Sequence, residues 1–224
     1  DRATGSARYH VGGGITWDSA PEGEYDECMT KAALLRRNRP RFALLESLRL
    51  EDGRYWILDT HLERLAASAD YFGFPCDLGA VRASLESTAA AAPAGVHKVR
   101  LLLDRTGHIS TECVPIAAEA PRIRLGLARD PIDPTDVYLY HKTTHRRVYD
   151  DALATRPDCD DVLLWNRDGE VTESTRANVV VELDGVACTP PVAAGLLGGT
   201  FRRELLEQVA IVERTLHVDD LQRA

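Results

Sequence analysis

Tyr138-Leu139-Tyr140-His141-Lys142-Thr143-Thr144-His145-Arg146-Arg147 places one lysine after an apolar-aromatic stretch and before a basic one. A lysine set this way, at an expected strand end, is partly desolvated. Burial and neighbouring cations both lower its pKa toward the neutral amine that Schiff-base chemistry needs. The same ten residues also read as a basic loop in water. His141 and His145 stand four apart, a spacing that would put two imidazoles on one helix face for a metal. No glutamate lies between them and no third ligand is evident, so no metal site is assigned.

Two stretches further on add to this lysine. In Val171-Thr172-Glu173-Ser174-Thr175, followed by Asn178, a carboxylate sits after a turn and before the apolar run Val179–Val181. Glu173 there is either a solvated strand-end acid or the floor of a pocket. Opposite a pyridine nitrogen, its charge would keep that nitrogen protonated and able to accept carbanion electrons. In Gly195-Leu196-Leu197-Gly198-Gly199-Thr200-Phe201-Arg202-Arg203, glycines lead directly into an expected helix. The first N–H groups of such a helix are free to bind a phosphate, with two arginines adding positive charge. A plain glycine turn with Thr200 as N-cap is the alternative. The G-x-x-x-x-G-K pattern of a nucleotide loop is absent.

Around these stretches the chain reads as mixed α/β with hairpin-connected strands. Phe42–Leu50 and Tyr55–Leu58 flank Asp52-Gly53, Val99–Leu103 and Ile109–Val114 flank Thr106-Gly107, and two more Asp-Gly pairs, 168–169 and 184–185, follow. Each Asp-Gly pair suits a type I′ turn. Leu62, Leu65, Ala66, Ala69 and Phe72 recur at helical spacing, with Thr60 to cap and Gly73 to stop the helix. Ile123, Leu125 and Leu127 alternate with polar or small residues, as a strand does. Thr200–Ala210 reads as a closing helix with Phe201, Leu205, Leu206 and Val209 on one side. Pro21, followed by acids, starts an earlier helix, and Arg36-Arg37-Asn38-Arg39-Pro40-Arg41 marks a boundary.

Composition narrows the class. With 35 acids against 27 bases and a net charge of −8, a nucleic-acid-coating surface is not expected. No apolar run is long enough to span a bilayer, and Asp1-Arg2-Ala3-Thr4 carries no apolar signal core. Cys28, Cys76, Cys113, Cys159 and Cys188 are scattered and contain no C-x-x-C pair, so neither a disulfide framework nor a thiolate zinc site is expected and a cytoplasmic location is.

Taken in order, Lys142, a glutamate 31 residues on, and a glycine–threonine helix start 26 residues after that resemble the class IV aminotransferase family. That family includes branched-chain and D-amino-acid aminotransferases and aminodeoxychorismate lyases. The resemblance implies a fold-type IV enzyme: a small N-terminal α/β domain over residues 42–120, a larger domain over 121–224 around a barrel-like β-structure, and a cleft holding pyridoxal 5′-phosphate. It implies that Lys142 forms the Schiff base, that Glu173 pairs with the pyridine nitrogen, and that Gly199, Thr200 and Phe201 offer donors to the phosphate. His61-Leu62-Glu63-Arg64-Leu65 matches the family's early helix, whose arginine, here Arg64, grips the same phosphate.

Residues 1–41 carry a different resemblance. Gly12-Gly13-Gly14-Ile15, Asp18-Ser19, Pro21, Glu24, Glu27 and Lys31 are similar to the extreme C-terminus of chorismate-utilising synthases, where the matching acids and lysine belong to a magnesium–chorismate site. This piece alone is not expected to form that site. A synthase tail running into a class IV domain resembles a fused folate-pathway protein. The implied reaction converts 4-amino-4-deoxychorismate to 4-aminobenzoate and pyruvate, in a homodimer, with a glutamine amidotransferase as partner of the full-length fusion. An amino-acid transaminase and a non-catalytic domain supporting a synthase are the rivals.

The sequence also departs from the family. Arg147 stands where many members have an aromatic residue, and the D-R-x-x-x-G-x-G segment before residue 42 is replaced by the synthase-like tail. The larger domain is expected to be shortened after Asp219-Asp220-Leu221-Gln222-Arg223-Ala224. Arg49, Arg146 and Arg147 are the cations available to read substrate carboxylates.

Overall fold

The computed structural model describes residues 9–36, 40–116 and 122–223. The N-terminal Asp1–Thr4, the Arg37–Arg39 part of the basic cluster and the Pro121 boundary lie outside them. The chain divides into two units, Asp1–Arg41 and Phe42–Ala224. In the first, Pro21 opens helix α1 (Pro21–Arg36), as its fixed φ and the acids behind it favour. Lys31 pairs with Glu27 one turn earlier at 2.5 Å and donates to the Gly12 carbonyl, while Ser19 donates to Glu24.

The second unit opens with an antiparallel sheet. Strand β1 (Leu44–Glu51) turns through Asp52-Gly53 into a two-residue β2 (Arg54–Tyr55), and both turn residues have positive φ as a type I′ turn demands. The expected strand over Tyr55–Leu58 is cut short. Ile57 adopts a left-handed φ of 46° and helix α2 (Leu58–Phe72) begins at once, without the Thr60 cap. Gly73 does close the helix, at φ 67°. Helix α3 (Leu78–Ala91), capped by Asp77, leads to β3 (Val96–Leu103) and β4 (Ile109–Pro115), giving the order β2-β1-β3-β4.

Alternation sends Leu44, Leu48 and Leu50 of β1 and Val99, Leu101 and Leu103 of β3 to one face. There they pack with Leu62, Leu65 and Ala69 of α2 and Val81 and Leu85 of α3. Glu46 falls on that same inward face of β1 and is buried with them.

The rest of the unit builds two three-stranded sheets. One has the order β5-β6-β7, from β5 (Leu125–Leu127), β6 (Asp161–Trp165) and β7 (Val171–Ser174). The other has the order β10-β9-β8, from β8 (Val181–Leu183), β9 (Val186–Thr189) and β10 (Val212–Glu213). Helix α4 (Arg147–Ala154) packs on β6, and helix α5 (Thr200–Glu207) follows the glycines.

Three local expectations are corrected here. Asp184-Gly185 has positive φ at both positions, but at 168–169 only Gly169 does, because the loop spans Asn166–Glu170 and is closed by Asn166 N–H to the Glu170 carbonyl. In β5 the fully buried residue is Gly126, where a Cβ would sit 2.5 Å from Cys159 Sγ; Leu125 is exposed, and Leu127 is half-buried against the cluster of Leu163, Val171 and Leu183. Helix α5 ends at Glu207, short of the expected Ala210; its buried positions are Thr200 and Arg202, while Phe201, and Val209 beyond its end, are exposed. Among the described residues no helix is long and apolar enough to cross a membrane.

Candidate active site

Lys142 lies in a non-helical segment that zips onto the start of β1. Leu45 N–H donates to the Lys142 carbonyl and Thr144 N–H to the Ala43 carbonyl, both at 2.9 Å. This pairing fixes the lysine's main chain whatever its side chain does. His141 and His145 therefore share no helix face: His141 Nδ1 meets Ser68 Oγ at 3.0 Å, and His145 packs edge-on to Tyr138. The chain has three lysines. Lys31 is raised by its hydrogen bond to Glu27, and Lys98 is exposed on β3. Lys142 alone is held below the usual lysine range, by burial first and then by Arg64, with Arg146 adding to it against Glu46 and Glu173.

Glu173 is the third residue of β7 and is 5% exposed. Its Oε1 accepts from the Tyr149 hydroxyl at 2.8 Å and from Leu197 N–H at 3.1 Å, and its Oε2 accepts from Asn178 Nδ2 at 3.0 Å. Burial pushes its carboxyl up to about 7, against the pull of Tyr149, Leu197, Lys142 and Arg146. A buried acid with three donors and a raised pKa is poised to exchange a proton with a base brought beside it.

Glu46 organises the opposite wall. Its carboxylate meets His61 Nδ1 at 2.7 Å and takes two hydrogen bonds from Arg64, from Nε at 2.9 Å and from Nη2 at 2.5 Å. Those bonds hold its pKa below the usual range although burial alone would raise it. Arg64 reaches the Gly198 carbonyl at 3.2 Å, and His61 Nε2 lies 3.3 Å from Thr200 Oγ1. Gly199, not Thr200, is the N-cap of α5, and the helix has no side-chain cap. A Cβ built on Gly199 would collide with Asn178 Oδ1, so this approach of two loops requires glycine.

Lys142, Glu173, Arg64, Gly199, Thr200 and Phe201 all line one cavity of about 430 Å³, together with His61, Asn178 and Arg176. The three stretches that the sequence singles out, far apart in the chain, thus meet. The other expected cations do not join them equally. Arg49 pairs with Glu51 and lines a separate pocket, and Arg147 is exposed and pairs with Asp151. Arg146 is adjacent, donating to the Thr175 carbonyl with its guanidinium over the Tyr149 ring.

Sequence reasoning missed Glu46 and Tyr149. A lone acid on the inward face of an otherwise apolar strand was a readable signal for Glu46. Tyr149, seven residues past Lys142, carried none until α4 turned its hydroxyl to Glu173.

Residues 43–224 match the amino-transferase class IV family, and residues 2–37 match the chorismate binding enzyme family. The chain belongs to the class IV aminotransferase family. Members of that family are pyridoxal-phosphate-dependent enzymes. A Schizosaccharomyces pombe protein provisionally named an aminodeoxychorismate lyase is 33% identical over 175 residues, 73% of each chain. A solved structure from Mesorhizobium loti, provisionally described as an amino-acid aminotransferase, is 34% identical. It superimposes with a TM-score of 0.74 over 82% of this chain and 91% of that one. A Mycobacterium tuberculosis protein described as a hypothetical aminotransferase, in its PLP-bound form, is 27% identical with a TM-score of 0.69, over 80% of this chain and 73% of that one. The fold is that of these mixed α/β class IV enzymes.

Proposed function

We propose that this chain is the lyase part of a fused 4-aminobenzoate synthase, converting 4-amino-4-deoxychorismate to 4-aminobenzoate and pyruvate with pyridoxal 5′-phosphate. The observation that carries the substrate is the succession, in one chain, of a chorismate-binding segment over 2–37 and a class IV domain over 43–224. The named S. pombe relative agrees with it. The same reading makes residues 42–120 the small domain and 121–224 the cofactor-binding one. It takes the working protein as a cytoplasmic homodimer with a glutamine amidotransferase partner.

The residues present fit the cofactor. Arg64, His61, Thr200 and the side-chain-free Gly199 form a donor-rich cradle for a phosphate, and Lys142 and Glu173 line the same cavity. When bound, the pyridine ring supplies a sink for the electrons released as the C–H bond beside the substrate amine breaks. Lys142 Nζ would hold the cofactor. Its amine, whose neutral form burial and Arg64 favour, would then take the proton from that carbon as general base. Glu173 would set a negative charge against the ring nitrogen, with Tyr149, Asn178 and Leu197 N–H fixing the direction of its carboxylate. The enolpyruvyl oxygen leaves, the ring becomes aromatic, and no second substrate is consumed.

The test is direct. Cofactor-loaded protein given only 4-amino-4-deoxychorismate should release 4-aminobenzoate and pyruvate in equal amounts over many turnovers. The identity to the M. loti protein favours a second reading, an amino-acid transaminase. Stoichiometric conversion of the bound cofactor to its pyridoxamine form by an amino acid, with no 4-aminobenzoate formed, would decide for that one.

Arg64 offers a separate check on the phosphate cradle. Arg64→Met should weaken pyridoxal phosphate roughly 10- to 100-fold, the loss of a charge-assisted contact, while pyridoxal, which lacks the phosphate, binds as before. Leaving Glu46 buried with only His61 should also lower stability by about 3 kcal/mol. The ratio of the two affinities separates the effects, and equal losses for both ligands would remove Arg64 from the phosphate.

A further inference from the structure

The cations around the cavity are unequally committed. Arg64 is paired with Glu46, and Arg202 is buried against Glu213, the Pro190 carbonyl and Thr189. Lys142 is reserved for the cofactor on the reading above. Arg176 remains, lining the 430 Å³ cavity and also a smaller pocket that shares Lys142 and Glu173 with it. Its guanidinium makes no hydrogen bond or ion pair among the described residues. Asp160, which feels its charge, is bonded to Arg124 instead.

The turn that carries Arg176 is built rigidly. Ser174 N–H donates to the Ala177 carbonyl at 2.8 Å, and Ser174 Oγ accepts from the N–H groups of Arg176 and Ala177. Thr175 Oγ1 donates to buried Asp161 at 2.5 Å, and the Thr175 carbonyl accepts from Arg146. Glu173 and Asn178, bridged across the turn, both face the cavity. A surface arginine usually rides on a mobile segment in water. This one stands at the tip of a pinned four-residue turn, between two residues of the site, with its charge unspent.

We propose that Arg176 is the specificity residue that binds the ring carboxylate of the substrate, the one that 4-aminobenzoate retains, at the mouth of this cavity. The inference rests on the proposed function only in taking the substrate to be an amine that carries such a carboxylate. Guanidinium and carboxylate match as a planar, two-bond pair, and the free fork of Arg176 is suited to it. Of the three cations that the sequence offered for this role, Arg49 and Arg147 are paired with Glu51 and Asp151, and Arg146 is bonded to the Thr175 carbonyl.

The experiment uses the full cofactor-loaded chain and the variants Arg176→Gln and Arg176→Lys. With 4-amino-4-deoxychorismate, Arg176→Gln should raise KM roughly 10- to 100-fold and leave kcat within about threefold, since a charge-assisted bond made equally in ground and transition states is lost. Arg176→Lys should recover part of the loss. Binding is read from the change in cofactor absorption with 4-aminobenzoate and with 4-aminobenzamide, its uncharged counterpart. The variant should weaken the first and spare the second. Equal weakening of both, no weakening of either, or a fall in kcat alone would overturn the proposal. A wild-type protein that binds 4-aminobenzoate through Arg176 yet does not turn over 4-amino-4-deoxychorismate would remove the lyase reading and keep this one.

Discussion

Lys142→Ala should abolish the visible absorption of lysine-bound cofactor and lower turnover by at least about 10³-fold, the scale expected when a covalent anchor and general base are lost together. The case is unusually clean because the chain offers two other lysines, one ion-paired to Glu27 and one in solvent on β3. Borohydride reduction of the loaded wild-type protein, then peptide mass mapping, should place the adduct on the peptide containing Lys142. The fold should survive the substitution. The segment is fixed to β1 by its own backbone bonds, and burial penalises the ammonium that is removed. An adduct on Lys31 or Lys98, or an absorption band that persists in the variant, would assign the chemistry elsewhere.

How far the sequence could be read follows from which interactions are local. Asp52-Gly53 and Gly73 declared their turn and helix end because left-handed backbone restricts residue choice at the position itself. The ordered motifs at 142, 173 and 199–200 were legible because each needs a distinctive local context. What pairs across the fold was not. Glu46 reads as one polar residue in a strand until α2 brings His61 and Arg64 against it. The apolar side expected for α5 failed because the buried face there is shaped by Glu213 and the Pro190 carbonyl, which hold Arg202 inside. Gly126 is the reverse case: Arg156 and Cys159 crowd β5 so closely at this position that no side chain fits, while Leu125 is exposed and Leu127 packs on the cluster around Leu163 and Val171.

The two walls of the site also use burial in opposite ways. Glu46 is buried with enough donors to favour its ionised form, which holds Arg64 and His61 in place for the phosphate proposed above. Glu173 is buried with neutral donors in contact, so its charge is costly until a cationic partner arrives. On the proposed reading, one carboxylate preorganises the site and the other meets the cofactor.

That difference gives the last expectation a sign. Glu173→Gln should keep the Lys142-bound absorption but reduce turnover by about 10²–10³-fold, since removing a buried charge facing the ring nitrogen lowers that nitrogen's pKa by two to three units at about 1.4 kcal/mol each. Cofactor-free protein supplies a second readout. With its folded pKa raised from the model-peptide 4.5 to about 7, Glu173 retains a proton that the unfolded chain has already released. Stability from this group is therefore fully present below pH 4.5 and declines as pH rises through that window, by on the order of 2–3 kcal/mol, before levelling off above it. The glutamine cannot titrate, so urea melts at pH 5 and pH 8 should show the wild type losing stability relative to the variant. Any constant cost of the glutamine, such as its amide facing Asn178 Nδ2, cancels in that comparison. Parallel melts at the two pH values, with turnover intact, would mean that Glu173 is neither strained in the empty site nor coupled to the ring.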